Sequence, residues 1–340
     1  MLEVIGYDIF GQNKLEGMRY AWLRPGYARY IESASFVNKS KGKNEGICGY
    51  TTSVSAGCVL AAQKLPCSFC RTGNLLPFRG FLTYKEIAKQ NVFMVLVDMY
   101  QEAYPELRNK KREFAYMGQG EPGFSYSQVR MAIELTNKVM HVLGQQVYRH
   151  IFATCGITEA IYNYKDDVKN YFTEKVTLHI SLHATKEREK LMPIDRIYPY
   201  GEVIKAIDDI SDITGEKPCI GIMLFNQFSP KSQRFNYTNS KKNVLDIINR
   251  LNPQKCRLSF CEYNSTDDLG KAEVYSRKEV EELLYEVQKR GFETKYFSSF
   301  GQDKKAACGM LGGKEPEYDI SDKWQKLSEL ADKLIIENAN

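Results

Sequence analysis

No apolar run in the 340 residues reaches the ~18 needed to span a bilayer as a helix, so no membrane segment is expected. The opening stretch, MLEVIGYDIFGQNKLEG, lacks a basic head, an unbroken apolar core and a small-residue cleavage site, which argues against a secretory leader. Internal repeats and low-complexity tracts are also absent. The nine cysteines (48, 58, 67, 70, 155, 219, 256, 261 and 308) are odd in number. Without an export signal they do not form an expected disulfide framework; in a reducing compartment thiols are kept for metals or chemistry. Histidine is scarce, and none of His141, His150, His179 and His183 lies near the cysteine-rich stretch 58–70. These absences together lead us to expect a soluble, cytoplasmic protein with no membrane partner.

With 43% hydrophobic and 26% charged residues, the chain can bury a large core as one big domain or two ordinary ones. A net charge of +5 is mildly basic and permits an anionic partner such as RNA without demanding one. Two basic clusters, Lys39-Ser-Lys41-Gly-Lys43 and Arg108-Asn-Lys110-Lys111-Arg112, suit phosphate contacts, and suit solvated loops equally well.

Short β-branched or aromatic runs alternate with longer amphipathic stretches, as parallel strands joined by crossover helices do. Strands are expected at Gly49 to Ser55, Glu113 to Met117, Val147 to Thr154, Val176 to Leu182, Pro218 to Phe225 and Cys256 to Tyr263. Helices are expected at Tyr84 to Ala103, Tyr126 to Leu143, Ile157 to Asp166, Tyr200 to Ile213, Ser240 to Leu251 and Arg277 to Arg290. Six βα units in series give an α/β fold, either doubly wound or a partial TIM-type barrel. A short N-terminal extension with a strand-like Tyr30 to Val37 and a polar loop at 38–45 precedes them, and Ile320 to Asn340 reads as a C-terminal helix packed outside.

Polar and glycine-rich motifs fall just after the strands, where α/β folds place their sites. Cys58, Cys67 and Cys70 follow the first strand as C-x8-C-x2-C, a set that suits an iron–sulfur cluster, a zinc knuckle completed from elsewhere, or buried thiols. In Gly118-Gln-Gly120-Glu121-Pro122 the glycines let a ligand approach the backbone and the carboxylate can accept from an ammonium group. Thr154-Cys-Gly156 and Ser181-Leu-His183-Ala184 close the next two strands, and Cys308 stands among small residues in Ala306 to Gly313.

Taken in order, Cys67-Ser-Phe-Cys-Arg-Thr-Gly73, Arg79-Gly-Phe-Leu-Thr-Tyr-Lys-Glu-Ile87, Gly118 to Pro122, Thr154-Cys-Gly-Ile157, Ile180-Ser-Leu-His-Ala184, Leu191-Met-Pro-Ile-Asp195 and Ala306-Ala-Cys-Gly-Met-Leu-Gly-Gly313 resemble the RlmN/Cfr-like family of radical-SAM RNA adenine methyl synthases. The resemblance runs from about Glu32 to Gly313. It implies a partial (βα)6 radical-SAM barrel over 47–300, an extension over 1–46, and a catalytic-cysteine loop and helix over 301–340. It further implies a [4Fe-4S] cluster on Cys58, Cys67 and Cys70, whose open iron chelates S-adenosylmethionine. Gly120, Glu121, Pro122, Ser181 and Asn264 would hold that cofactor, Glu121 by its ammonium group.

By the same resemblance Cys308 would carry a methyl group to an adenine of rRNA or tRNA, Glu32 would assist deprotonation, and a second thiol would release the adduct. A flavodoxin- or ferredoxin-type protein would supply electrons. The chain departs from the family in several places, two of which bear on the thiol chemistry. Five extra residues separate the first two cluster cysteines, and the position of the resolving cysteine is Thr51, with Cys48 as the nearest substitute. These departures favour, as an alternative, the same cofactor chemistry on a small molecule, nucleotide or peptide.

Overall fold

A computed structural model describes residues 1–11, 16–37, 46–102, 105–231, 236–264, 268–297, 302, 304, 306, 307 and 309–339. The polar loop 38–45, with its basic cluster, and Cys308 lie outside the described residues.

Three antiparallel strands come first, β1 (Glu3–Phe10), β2 (Gly17–Leu23) and β3 (Ile31–Val37), and β3 pairs antiparallel with β4 (Ile47–Thr51). From β4 onward the neighbours run parallel through β5 (Lys111–Tyr116), β6 (Val147–Thr154), β7 (Val176–Ser181) and β8 (Cys219–Pro230). The outer half of β8 takes β9 (Tyr237–Asn239) as an antiparallel partner, and the parallel series resumes with β10 (Arg257–Glu262). Next, β11 (Gly270–Glu273) pairs antiparallel with β8, β12 (Thr294–Phe297) joins β10 in parallel, and β13 (Tyr318–Asp319) returns to β1. One sheet therefore runs β12-β10-β8-β7-β6-β5-β4-β3-β2-β1-β13. Its end strands are not joined among the described residues, so the barrel is partial.

Two single helical turns, α1 (Val59–Ala62) and α2 (Arg71–Leu75), follow β4. The crossover helices are α3 (Tyr84–Tyr100), α4 (Tyr126–Val142) and α5 (Thr158–Asn170). After the turn α6 (Arg188–Leu191) come α7 (Tyr200–Thr214), α8 (Lys241–Asn249), α9 (Arg277–Lys289) and the closing α10 (Asp322–Asn338). Among the described residues no helix is long and apolar enough to cross a membrane.

Local chemistry sets these boundaries. Thr83 and Glu86 cap α3 reciprocally, as Ser276 and Glu279 cap α9, and Ser321 accepts from the Trp324 amide at the start of α10. Helix α3 is buried from Glu86 to Asp98, covered by α4 and α10. Lys89 Nζ fixes that covering layer, donating to the Leu2 carbonyl at 2.6 Å and to Asp332 Oδ2 at 2.7 Å.

Two expected strands differ from the observed ones. The strand expected at Gly49 to Ser55 stops at Thr51, because the Val54 and Ser55 amides turn to the Gln119 carbonyl at 2.9 and 3.2 Å. The strand expected to end at Phe225 runs to Pro230, since β9 and β11 supply ladder partners for its outer half. The N-terminal extension is not a lone strand but the hairpin β1–β2 carried on β3, continuous with the barrel sheet.

Buried histidines make the fold acid-sensitive. Desolvation pushes His150, His179 and His183 each down to about 3. The stability present above pH ~6.5 is lost as pH falls toward about 3, because the unfolded chain binds protons there that the folded chain does not. Asp98, pushed up to about 6 by burial, works in the opposite sense between about 6 and 3.8, and offsets part of the loss. Urea midpoints should therefore be lower at pH 5 than at pH 7.5; equal midpoints would refute the three neutral histidines.

Candidate active site

The cysteine loop is compact. Cys58 precedes α1, and the eight-residue gap that follows is folded into that turn, closed by the Leu65 amide on the Leu60 carbonyl at 2.8 Å and by Lys64 at φ 59°. Cys70 in turn precedes α2, with its amide on the Cys67 carbonyl at 3.1 Å. Asn74 Nδ2 donates to the carbonyls of both Cys67 and Cys70, at 2.8 and 2.7 Å. The Ser68 amide donates to the Leu191 carbonyl at 3.0 Å and ties the loop to the Leu191 to Asp195 motif.

Desolvation pushes all three thiols up, Cys58 to about 12. The next cause for Cys58 is Cys70, and for Cys67 it is Cys70 and then Cys58, so the three thiols lie within electrostatic reach of one another. Parts of Cys67 and Cys70 reach the surface, but their thiols are enclosed. Backbone N–H groups of Leu60 and Ala61 bear on Cys58, and those of Thr72 and Gly73 on Cys70, which is how thiolate ligands of a cluster are tuned. Among the described residues no three His, Cys, Asp or Glu side chains are gathered as one metal ion requires. Thiols are the groups that ligate an iron–sulfur cluster, one to each iron, so the donor chemistry of Cys58, Cys67 and Cys70 fits that group.

Glu121 faces the thiols, raising both Cys58 and Cys67. Its Oε1 accepts from the Gly123 amide at 2.8 Å and its Oε2 from the Cys155 amide at 2.9 Å. Desolvation raises its own pKa, while bonds from Thr154 and Cys155 pull the other way. Pro122 opens the 3-10 turn Pro122–Ser125 directly behind it. Gly120 has φ +110°, and a Cβ there would lie 2.2 Å from Ser55 Oγ, so both conformation and space demand glycine. Ser181 closes β7, where its carbonyl accepts from Arg188 at 3.2 Å, and Asn264 lies beyond β10, accepting from Gln302 Nε2 at 2.7 Å. His183 packs edge-on against Phe69 of the cysteine loop at 5.3 Å. Its Nδ1 and Gln119 Oε1 are buried without hydrogen-bond partners, atoms that a bound ligand or water would satisfy.

The chain flanking Cys308 lies on the cysteine loop. The Gly309 carbonyl accepts from the Arg71 amide at 2.9 Å, the Met310 carbonyl from Arg71 Nη1 at 2.8 Å, and the Leu311 carbonyl from Thr72 Oγ1 at 2.7 Å. At Gly312 a Cβ would come within 2.8 Å of the Arg71 guanidinium carbon, so glycine is what lets the two segments meet. Glu32 is fully buried; its carboxylate pairs with Arg19 and accepts from Gln119 Nε2 at 3.0 Å and from the Gly313 amide at 2.6 Å.

Cys48 is not brought to this group. It lies toward α3 with Tyr50, beside Asp98 and Arg112, and burial first and Asp98 second push its thiol up to about 12. Strand alternation puts Thr51 on the opposite face of β4.

Sequence reasoning left several groups unassigned. Cys155 borders both Glu121 and Cys67, and Arg71 and Thr72 dock the tail. Arg188 joins two strand ends through the Cys155 carbonyl at 2.8 Å and the Leu182 carbonyl at 3.0 Å. Arg19 and Asp8 lie in strands whose charges are their only signal, a charged residue at a position where a half-buried strand normally carries an apolar one.

Comparison with known proteins follows this geometry. A solved radical SAM methyltransferase from Sphaerobacter thermophilus superposes with a TM-score of 0.73 over 92% of this chain and 82% of that one, at 21% identity. The fold is thus the radical-SAM partial barrel. No family model matches the chain. Its curated relatives include proteins named probable dual-specificity RNA methyltransferase RlmN, from Flavobacterium psychrophilum (26% identical, covering 74% of this chain and 67% of that protein) and from Petrotoga mobilis (26%, covering 82% and 73%). The RlmN 1 protein of Protochlamydia amoebophila is 29% identical, covering 74% of this chain and 64% of that protein. The chain is a divergent relative of these proteins, and spans about two thirds of the length of those from Flavobacterium psychrophilum and Protochlamydia amoebophila.

Replacing Gly120 by alanine should destabilise the chain by about 1–3 kcal/mol through backbone strain and the clash with Ser55, read as a lower urea midpoint with an unchanged m-value. A midpoint equal to wild type would show that the turn relaxes freely.

Proposed function

We propose that the protein is a radical SAM enzyme that methylates an adenine in RNA through Cys308, with Cys58, Cys67 and Cys70 holding a [4Fe-4S] cluster. The observation that carries this reading is the docking of residues 309–311 on Arg71 and Thr72, directly after Cys70 of the cysteine loop. Bound there, the cluster would supply the electron that cleaves S-adenosylmethionine, delivered by a flavodoxin- or ferredoxin-type partner. Glu121 would receive the ammonium group of that cofactor at the end of β5, where low dielectric strengthens the pairing. Gly120 and Pro122 would shape the turn beneath it, and Ser181 and Asn264 would supply polar contacts from the ends of β7 and β10. Cys308 would act as the methyl-carrying nucleophile. We divide the chain accordingly into the extension 1–46, the core 47–300 and the cysteine loop with its helix, 301–340.

The placement of Cys48 and Thr51 favours a second reading. A thiol facing α3 is poorly placed to release a protein–RNA adduct, and a threonine hydroxyl is too weakly acidic to replace it. On this reading the same cofactor chemistry serves a small molecule, nucleotide or peptide.

Anaerobically reconstituted protein should bind iron and sulfide and, with reductant and S-adenosylmethionine, release 5′-deoxyadenosine. The triple variant Cys58→Ala, Cys67→Ala, Cys70→Ala should lose the iron. In wild type, mass spectrometry should find a methyl group on Cys308 and methyladenine in added RNA, both lost in Cys308→Ala. Protein that binds no iron, or yields no 5′-deoxyadenosine, would sink both readings; 5′-deoxyadenosine without methyl on Cys308 would select the second.

A further inference from the structure

The N-terminal hairpin grips the chain that follows Cys308. Arg19 on β2 is fully buried between Asp8 of β1 and Glu32 of β3, and its Nε donates to Asp8 Oδ2 at 2.6 Å. The same guanidinium donates to the Lys314 carbonyl at 2.9 Å and to the Glu315 carbonyl at 3.1 Å. Both carboxylates also reach the tail, Glu32 Oε2 accepting from the Gly313 amide at 2.6 Å and Asp8 Oδ1 from the Glu317 amide at 3.2 Å. Beyond them β13 pairs with β1, with the Ile320 amide on the Ile5 carbonyl at 3.1 Å.

Most of this segment has no regular secondary structure, so its backbone groups need partners from outside any ladder. Burying an arginine and two carboxylates is costly unless each is paired and hydrogen-bonded, and here backbone groups of the tail complete the pairing. Gln119, beside the cofactor-binding Gly120 and Glu121, adds a third contact to Glu32. The tail is thus held at its start by the cysteine loop and further on by the hairpin, with the GQGEP turn joined to the second grip.

We propose that Arg19, Asp8 and Glu32 form a clamp that fixes residues 313–317, the chain that follows Cys308, beside the strand ends proposed to bind the cofactor, which makes Arg19 and Glu32 positioning residues. The clamp's purpose rests on the function proposed above; the clamp itself does not.

Glu32→Gln separates positioning from proton transfer. A glutamine has one acceptor oxygen, so its NH2 must face either the Arg19 donors or the Gly313 and Gln119 donors, and one contact is lost. Amide hydrogen exchange over residues 309–320 should rise about tenfold or more in this variant, as expected when a local closed state loses a charge-assisted bond. The yield of methylated product per 5′-deoxyadenosine should fall with it. If Glu32→Gln does not fold, Asp8→Asn keeps the side-chain shape and reads the same peptide with a smaller rise. Exchange within about twofold of wild type in the folded variants would overturn the clamp, even where methylation is lost, and would leave Glu32 as a proton-transfer group. Raised exchange in a protein that never cleaves S-adenosylmethionine would uphold the clamp and dismiss the proposed function.

Discussion

A parallel strand that ends leaves backbone donors and acceptors without ladder partners, and the candidate site of this protein is built where β4 to β7 end together. The Gln119 carbonyl takes the amides of Val54 and Ser55, Glu121 takes those of Gly123 and Cys155, and Arg188 donates to the carbonyls of Cys155 and Leu182. Each of these groups satisfies backbone groups left at the strand ends. Glu121 is held from two sides before any ligand arrives, so an ammonium group would meet a preorganised acceptor.

The same constraint explains why five extra residues between Cys58 and Cys67 leave the loop intact. They form a helical turn rather than a slack loop, and loop closure costs little when the added residues satisfy their own backbone groups. Cys67 and Cys70 are fixed independently, by Asn74 and by the Leu191 carbonyl. The insertion therefore changes the path of the chain without setting Cys58 apart from its two neighbours.

Much of this was legible because the barrel obeys local rules. Helices α4, α7 and α9 follow the hydrophobic period, α3 and α9 open on capping boxes, and the starts of all four coincide with expectation. The β1–β2 hairpin was not legible, because the buried positions of β1 are Val4, Gly6, Asp8 and Phe10, so a glycine and a charge interrupt the alternation. Arg19 hides β2 in the same way. What erases the strand signal is what holds the tail, since the charges that break the pattern are the ones bonded to residues 313–317. The alignment of Cys48 with a functional role failed to become a spatial one for a related reason: adjacent positions in a strand face opposite sides, and a three-residue offset from Thr51 changes the face.

The electrostatics of the site carry one step further. Cys58 is raised by Cys70 and Glu121, Cys67 by Cys70, Cys58 and Glu121, and Cys155 by Glu121 and Cys67, while burial alone raises Cys70. Of the cationic groups at hand, Arg188 lowers Cys67 and Cys155 but its guanidinium is also engaged by Asp195 at 2.7 Å, while Arg71 is paired with Asp268 at 2.9 Å. So many acidic groups cannot all ionise in one low-dielectric space on the compensation these arginines provide. Burial therefore favours the protonated form of these groups, and a cationic guest would favour their ionised form. On the function proposed above, iron on the thiols and an ammonium group on Glu121 would supply charge of that sign, and release of the thiol protons would make iron binding stronger as pH rises.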